Sequence, residues 1–253
     1  MGGRSESAEQ RWVREAAERH MATPEWQRSQ VEYARWEQER IASDPELAEH
    51  IARYEEASAP ILRDLSAIGI DVPRLPMLPG IPADTYAAAE PVLLRWLARN
   101  ENSSVQWDLA VAVCRKEAGP QVARAMIREL RRWRDEMDND LVLQGLAGVL
   151  AKIKVLPEDV ADETCSLAAD PSYGSARMNL ADALIKIRNP RAGAVLIDML
   201  GDPRLAPTAA IALGWRRDPA GRAMLEELVD DPDASVRRQA STALRRLEGR
   251  PRR

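Results

Sequence analysis

One spacing of apolar positions returns five times along the chain. In the last copy it is carried by Val236, Ala240, Ala243 and Leu244, at relative positions 0, 4, 7 and 8. These positions lie on one face of a helix. The other copies are Val105/Leu109/Ala112/Val113, Leu141/Gly145/Gly148/Val149, Ala176/Leu180/Ala183/Leu184 and Leu205/Ala209/Ala212/Leu213. The pattern predicts five amphipathic helices, each with a small residue at position 7 that lets a neighbouring backbone come close.

A second marker, proline, runs in phase with the apolar spacing. It occurs at Pro91, Pro120, Pro157, Pro190 and Pro219. Proline is favoured at the first position of a helix, where its missing N–H costs nothing. Asn189 and Asp218 precede two of these prolines, as helix caps would. Each copy therefore predicts a pair of helices, and about five stacked pairs bury the core that one pair cannot form alone. The first pair begins either at Asp84, with Pro91 as a kink, or at Pro91.

This pattern resembles HEAT repeats, in particular the short HEAT-like repeats of the phycobilisome-lyase type. The residues that match best are Asp233, Val236, Arg237, Ala240, Ala243 and Leu244, and Asp202, Ala209, Ala210, Ala212, Leu213 and Gly214. The resemblance covers roughly residues 85–249 and implies an all-α fold, a right-handed α-α superhelix. It also implies that an Asp and an Arg of the pattern join neighbouring repeats, and only the last copy has both. Scaffolds, adaptors, a few enzymes and nucleic-acid-binding proteins share this repeat, so the resemblance leaves the function open.

The first part of the chain differs from the repeats. We expect a helical extension over residues 1–70, a proline-rich linker over 71–83 and the repeat array over 84–253. Apolar residues in the extension follow a heptad seam, which Pro60 should kink or divide. This seam either packs on the array or docks on a partner. Prolines at every third position of the linker favour an extended polyproline-type segment, which is either a stiff connector or a docking motif.

Composition excludes several classes of protein. The 253 residues are 45% hydrophobic and 30% charged, with no Phe, and no alternating β-branched runs predict a sheet. The net charge of −4 argues against a general binder of phosphate backbones. The charge is uneven, however, because residues 1–70 hold 9 Arg and 14 Asp or Glu, whereas residues 185–253 hold 14 Lys or Arg and 9 Asp or Glu.

The chain lacks the usual signatures of catalysis. It has two His and two Cys, without a metal-binding spacing, a phosphate-binding glycine loop or a nucleophile elbow. We therefore assign no catalytic residue, no cofactor and no metal, and expect a protein that is not an enzyme. We find neither an apolar run long enough for a membrane span nor the core of a signal peptide. Together with two unpaired Cys, this predicts a cytoplasmic protein.

The candidate binding residues face away from the apolar stripe, at relative positions 2, 6 and 9. In a HEAT-like superhelix this side lines the concave surface, and in the early copies it is apolar. The residues predicted to contact a partner are Trp107, Val111, Leu143, Leu150, Met178 and Ile185. An exposed apolar strip of this length marks a binding groove for a protein or peptide. The alternative is that these helices are buried on both sides.

Two other functions remain open at this point. A basic patch with Arg238 and Arg245 in the last copy suggests a nucleic-acid-binding or DNA-repair protein. The resemblance also allows an accessory, lyase-like protein that holds a cofactor-bearing substrate. The main hypothesis is a non-catalytic scaffold or adaptor, whose partner and oligomeric state the sequence does not identify.

Overall fold

All regular secondary structure in the described part of the chain is helical. The structure is a computed structural model that describes residues 23–24, 35–36, 38–115, 118–136 and 139–249, and these residues include no strand. The all-α prediction is thus confirmed for them. Most of the predicted extension before residue 38 lies outside the described residues. The chain divides into two compact units, residues 1–55 and 56–253, which we describe separately.

In the first unit, residues 38–43 are helical, and helix α1 (Pro45–Ser66) begins shortly after them. Asp44 stands just before α1, and its carboxylate accepts a hydrogen bond from the backbone N–H of Leu47 at 3.0 Å. An acceptor of this kind satisfies one of the N–H groups that have no partner within the helix. Helix α1 therefore starts at the Asp-Pro pair.

Helix α1 extends beyond residue 55 and is not divided by Pro60. In the second unit, its apolar side chains Ile61 and Leu65 are fully buried. The carboxylate of Asp64 accepts hydrogen bonds from Arg95 Nη2 at 2.7 Å and Trp96 Nε1 at 2.9 Å. This end of the predicted seam therefore packs within the second unit.

The linker does not adopt the extended conformation that its prolines predicted. Its centre is a 3-10 helix, Leu75–Gly80, in which Leu75 and Leu78 are buried. The Arg115 guanidinium donates from Nη2 to the carbonyl oxygens of Leu78, at 3.2 Å, and Ile81, at 3.0 Å. Burial of two leucines and these hydrogen bonds hold the segment against the chain.

Residues 83–249 form alternating first and second helices. The first helices are α2 (Ala83–Leu97), α4 (Pro120–Trp133), α6 (Glu158–Ala169), α8 (Pro190–Met199) and α10 (Arg222–Glu227). The second helices are α3 (Ser103–Val113), α5 (Asp140–Lys152), α7 (Ala176–Leu184), α9 (Ala206–Arg216) and α11 (Ala234–Leu247). Helix α2 begins at Ala83 and continues through Pro91, which decides between the two predicted starts.

Polar side chains cap these helices as the sequence predicted. Asn189 accepts from the backbone N–H of Arg191 at 2.9 Å, at the start of α8. Asp218 does the same for Ala220 at 3.2 Å, where a 3-10 turn leads into α10. Each cap supplies an acceptor for an N–H that the helix leaves unpaired, and so sets where the helix begins.

In α5 the apolar pattern is shifted by one residue from the predicted alignment. Leu141, the predicted position 0, is 67% exposed, whereas Val142 is 1% exposed. Positions 0, 4, 7 and 8 are held by buried residues, Val142, Leu146, Val149 and Leu150. Gly145 and Gly148, which interrupted the predicted pattern, lie outside this buried stripe. The other four helices keep the predicted alignment, with position 0 buried in each.

Helices contact one another in chain order within each set. Among the second helices, α3 packs on α5, α5 on α7, α7 on α9 and α9 on α11. Among the first helices, α2 packs on α4, α4 on α6 and α6 on α8. The two helices of a pair also pack together, as in α2 with α3 and α8 with α9. Contacts between consecutive units are typical of repeat arrays.

Basic side chains near the ends of second helices donate to the preceding unit. Lys186 Nζ donates to the carbonyl oxygen of Ala151 at 2.7 Å, at the end of α5. Arg216 Nη1 donates to the carbonyl oxygen of Leu184 at 2.7 Å, at the end of α7. The last carbonyls of a helix have no partner within it, and they favour positive charge. Each of these cations therefore supplies a hydrogen-bond donor to the carboxyl end of the second helix in the preceding unit.

An Asp–Arg contact also joins α7 to the turn before α9. Arg177 Nη1 lies 4.0 Å from Asp202 Oδ2. These residues occupy the same repeat positions as Arg237 and Asp233 of the last copy. The junction is therefore formed between two copies that each hold one member of the pair.

A buried polar network connects α2, α3 and α4. The carboxylate of Glu129 is buried and accepts from Gln106 Nε2 at 3.2 Å and Arg132 Nε at 2.7 Å. Gln106 Nε2 also donates to the carbonyl oxygen of Leu97, and Asn100 Nδ2 donates to Gln106 Oε1. Burial raises the pKa of Glu129, although the Arg132 guanidinium opposes that shift. The network fixes the end of α2 against the next helix pair.

Candidate functional site

Four of the predicted contact residues lie at least partly at the surface. Trp107 on α3 is 38% exposed, and Val111 on the same helix is half-buried. Met178 on α7 and Ile185, which follows it, are half-buried as well. We call the side of the second helices that carries these four residues the second-helix face.

Leu143 and Leu150, in contrast, are buried in the core and cannot contact a partner. The shift of α5 by one residue explains this correction. Leu150 occupies position 8 of the buried stripe instead of the predicted position 9, and Leu143 follows the buried position 0 directly. The predicted apolar strip is therefore interrupted at α5.

At α5 the second-helix face carries an aromatic ring from α3. A Cβ atom added to Gly145 would lie 2.7 Å from Cε3 of Trp107, so the ring rests on the glycine. Beside it, Leu141 exposes most of its side chain. A recess of about 440 Å³ lies here, lined by Ser103, Ser104, Trp107, Asp108, Leu141 and Val142. We call it the Trp107 recess.

Both cysteines of the chain are poor candidates for a nucleophile. Cys114 is half-buried, and burial raises its pKa, so the thiol stays protonated at neutral pH and is a poor nucleophile. Burial raises the pKa of Cys165 in the same way. Within the described residues, no group of three or more His, Cys, Asp or Glu side chains could hold a metal ion. In the same part of the chain, no helix combines the length and apolar character needed to cross a membrane.

A larger concavity lies between the α5–α6 connection, the start of α6, the α7–α8 connection and the end of α9. It has a volume of about 1010 Å³. Its lining residues are Lys154, Val155, Leu156, Glu158, Ala161, Asp162, Ile185, Lys186, Ile187, Arg188, Asn189, Trp215 and Arg216. We call it the Trp215 cleft. Of the predicted contact residues it includes only Ile185.

The Trp215 cleft combines exposed apolar side chains with basic ones. Trp215 is 60% exposed and Val155 is 80% exposed. The Arg246 guanidinium lies 3.9 Å from the centroid of the Trp215 ring, a cation–π contact that steadies the ring. Lys154 and Arg188 both reach solvent at the cleft. The cleft therefore offers apolar and positively charged contacts together.

The sequence holds a signal for this cleft that the repeat analysis did not use. With α5 correctly aligned, relative position 10 is basic in four of the five copies, where it is Arg115, Lys152, Lys186 and Arg246. In the remaining copy, which forms α9, position 10 is Trp215, and the basic residue follows it at Arg216. Trp215 therefore stands at a position that the other copies fill with a cation.

Lys186 is the basic residue of the cleft most strongly affected by its surroundings. Burial lowers its pKa to about 8, against the opposing charge of Asp182. Its ammonium group also donates to the carbonyl oxygens of Ala151 and Ile153. Lys186 is thus committed to the wall of the cleft, whereas Lys154 and Arg188 reach solvent.

The predicted basic patch lies on the last described helix. Arg238 and Arg245 are both exposed on α11, and Arg245 Nη2 donates to Thr242 Oγ1 at 3.0 Å. The arginines at 250, 252 and 253 lie outside the described residues. The structure therefore places two arginines of the patch at the surface of one helix.

The comparisons with known proteins do not identify a family. No family model matches the chain, and no curated protein matches it. Among solved structures, the crystal structure of an engineered protein from a structural genomics consortium matches with a TM-score of 0.45 and 19% identity. The match covers 69% of this chain and 87% of the engineered one. A likeness at this level carries no argument about family or function.

Proposed function

We propose that residues 83–249 form a HEAT-like α-α superhelix that acts as a non-catalytic scaffold or adaptor for a protein or peptide partner. The ordered packing of second helices on second helices and of first helices on first helices supports this arrangement. The Arg177–Asp202 contact supports it too, because it joins consecutive copies at the positions that the HEAT resemblance implies.

The observation that carries the proposed function is the Trp107 recess. Trp107 and Leu141 expose apolar surface side by side, and Gly145 leaves room for the tryptophan ring to contact α5. Exposed aromatic side chains in a recess are typical anchors of protein interfaces. We therefore place the partner over α3 and α5, with Met178 continuing the contact on α7.

Selection from a displayed library of random peptides, with the immobilised full-length protein as bait, tests this proposal. Selected peptides should bind wild type and lose most of their affinity for a Trp107→Ala/Leu141→Ser variant, because both anchors are removed. Met77→Ser is the control, since Met77 is an exposed apolar residue (52%) of the 3-10 segment and does not line the recess. Circular dichroism melting would verify that the variants are folded.

Two outcomes would contradict the proposal. The first is that no peptide is selected, or that the selected peptides bind the double variant as tightly as wild type. The second is binding of labelled DNA or RNA that weakens steeply with salt and is lost in an Arg238→Glu/Arg245→Glu variant. That result would favour the nucleic-acid function instead.

A further inference from the structure

We infer that the Trp215 cleft is a second binding site, and that it takes an acidic peptide segment carrying an apolar anchor residue. This inference does not rest on the proposed site at Trp107, because the two surfaces share no lining residue. Three features of the cleft support it: size, apolar surface and charge.

The size of the cleft fits a peptide segment better than a small metabolite. Its volume of about 1010 Å³ lies at the upper end of the range of about 300–1,000 Å³ found for small-molecule sites. Its walls come from the segment that joins α5 to α6, the segment that joins α7 to α8, and the end of α9. Three segments from successive units therefore share one occupant.

The apolar part of the cleft is suited to an anchor side chain. Trp215 and Val155 are both largely exposed, although burial of such side chains would stabilise the folded chain. Ile185 and Ile187 add an aliphatic wall. Because Arg246 stacks on Trp215, the ring is held in place before an occupant arrives. An occupant with one large apolar side chain would cover this surface.

The charge of the cleft favours an acidic occupant. Four basic side chains and two acidic ones line it, which leaves a net charge of +2. Arg216 Nη2 lies 3.6 Å from the Asp218 carboxylate, and Lys186 has the opposing charge of Asp182 beside it, so the charge of these two cations is partly compensated. The positive charge that faces an occupant is therefore mainly that of Lys154 and Arg188, which reach solvent. Of the two acids, Asp162 accepts a hydrogen bond from Asn189 Nδ2 at 2.7 Å. Complementary charge of this kind steers and orients a partner.

A nucleic acid fits this cleft less well than a peptide does. Its bases could stack on Trp215, and Lys154 and Arg188 could contact phosphates. However, nucleic-acid binding draws on many phosphate contacts along a basic track, and the chain carries a net charge of −4. The aliphatic wall at Val155, Ile185 and Ile187 also offers nothing to a sugar-phosphate backbone.

Fluorescence anisotropy with labelled peptides tests the inference. The probes are short peptides of Asp and Glu around a single Leu or Trp, matched peptides with Lys in place of each acid, and an oligothymidylate strand. The full-length protein should bind an acidic peptide, and Lys154→Glu/Arg188→Glu should weaken that binding by about tenfold or more, because like charges then meet. Trp215→Ala should weaken it to a similar degree by removing the anchor surface.

Arg74→Glu/Arg99→Glu is the matched control, because both arginines lie outside the cleft. This variant has the same net charge as the cleft variant, and it should bind the acidic peptide within about twofold of wild type. The inference is overturned if no acidic peptide binds, if the cleft and control variants behave alike, or if the oligothymidylate binds more tightly and is lost in the cleft variant. The library peptides whose binding depends on Trp107 should bind the cleft variant as tightly as they bind wild type. The two sites can therefore be tested independently.

Discussion

Replacement of Gly214 by alanine tests how closely the second helices pack. Gly214 lies in α9, and a Cβ atom added to it would stand 2.8 Å from the Cα atom of Ala243 in α11. In protein structures, a Cβ atom essentially never lies so close to a heavy atom to which it is not bonded. Because the obstacle is backbone, no side-chain rotation can relieve it, and the two helices must move apart.

The expected magnitude follows from two opposing effects. Overpacking of a filled core costs about 1–3 kcal/mol. Alanine in place of glycine within a helix returns up to about 1 kcal/mol through its higher helix propensity. With the full propensity gain subtracted, the net effect of Gly214→Ala should be a loss of up to about 2 kcal/mol in the free energy of unfolding.

Gly148→Ala is the matched control, because Gly148 also lies within a second helix. A Cβ atom there would meet only Asn179 Nδ2, at 3.8 Å, which is an ordinary contact. The propensity effect then acts alone, and the variant should gain about 0.5–1 kcal/mol. The two glycine variants should therefore shift stability in opposite directions.

Urea unfolding followed by far-ultraviolet circular dichroism measures both shifts. The midpoint should fall for Gly214→Ala and rise for Gly148→Ala, with unchanged slopes if the folded and unfolded states keep their exposed surface. A rise in both variants would refute the close approach of α9 and α11. A fall in both would show that α5 is packed on its glycine face as well.

Two further predictions concern charged groups. Glu129→Ala should destabilise the fold by about 2–4 kcal/mol, because it removes a buried carboxylate that accepts from both Arg132 and Gln106. Glu163→Ala, which breaks an exposed pair with Arg131, should cost less than about 1 kcal/mol. Equal midpoints of urea unfolding for the two variants would contradict this. Lys186 has a folded pKa of about 8, below its ordinary value of 10.5, so between these values the unfolded state binds more protons and stability should rise with pH. From about pH 8 to pH 10, the melting temperature of wild type should therefore rise relative to that of Lys186→Met. If the difference between the two melting temperatures stays constant over this range, the lysine is not desolvated.

The sequence predicts the helices far better than it predicts the surface they expose. Helix pairs, the proline starts at Pro120 and Pro190 and the caps at Asn189 and Asp218 are local features, and the structure contains them. Pro91 is an exception, because it lies inside α2. The alignment of α5 failed because Leu141 and Val142 are adjacent aliphatic residues, either of which fits position 0. Gly145 and Gly148, which fall at positions 4 and 7 when Leu141 is position 0, indicated that Val142 was the correct position 0.

Features that depend on distant contacts were not predictable in the same way. Prolines at every third position suit an extended segment, but the burial of Leu75 and Leu78 favours a 3-10 helix instead. The Trp215 cleft draws its walls from three segments, and a periodic pattern reports only which face of a single helix is apolar. Only the placement of a tryptophan among cations at one repeat position pointed to it.

The basic side chains at the ends of the second helices give the array a polarity. Lys186 completes α5 and Arg216 completes α7, so in both cases the donor comes from the carboxyl-terminal neighbour. Removal of a unit from the carboxyl-terminal side thus strips the preceding helix of its terminal donor. Removal from the amino-terminal side leaves the later helices fully provided. At α5 and α7 we therefore expect fraying to begin at the unit whose successor is lost and to advance toward the amino terminus.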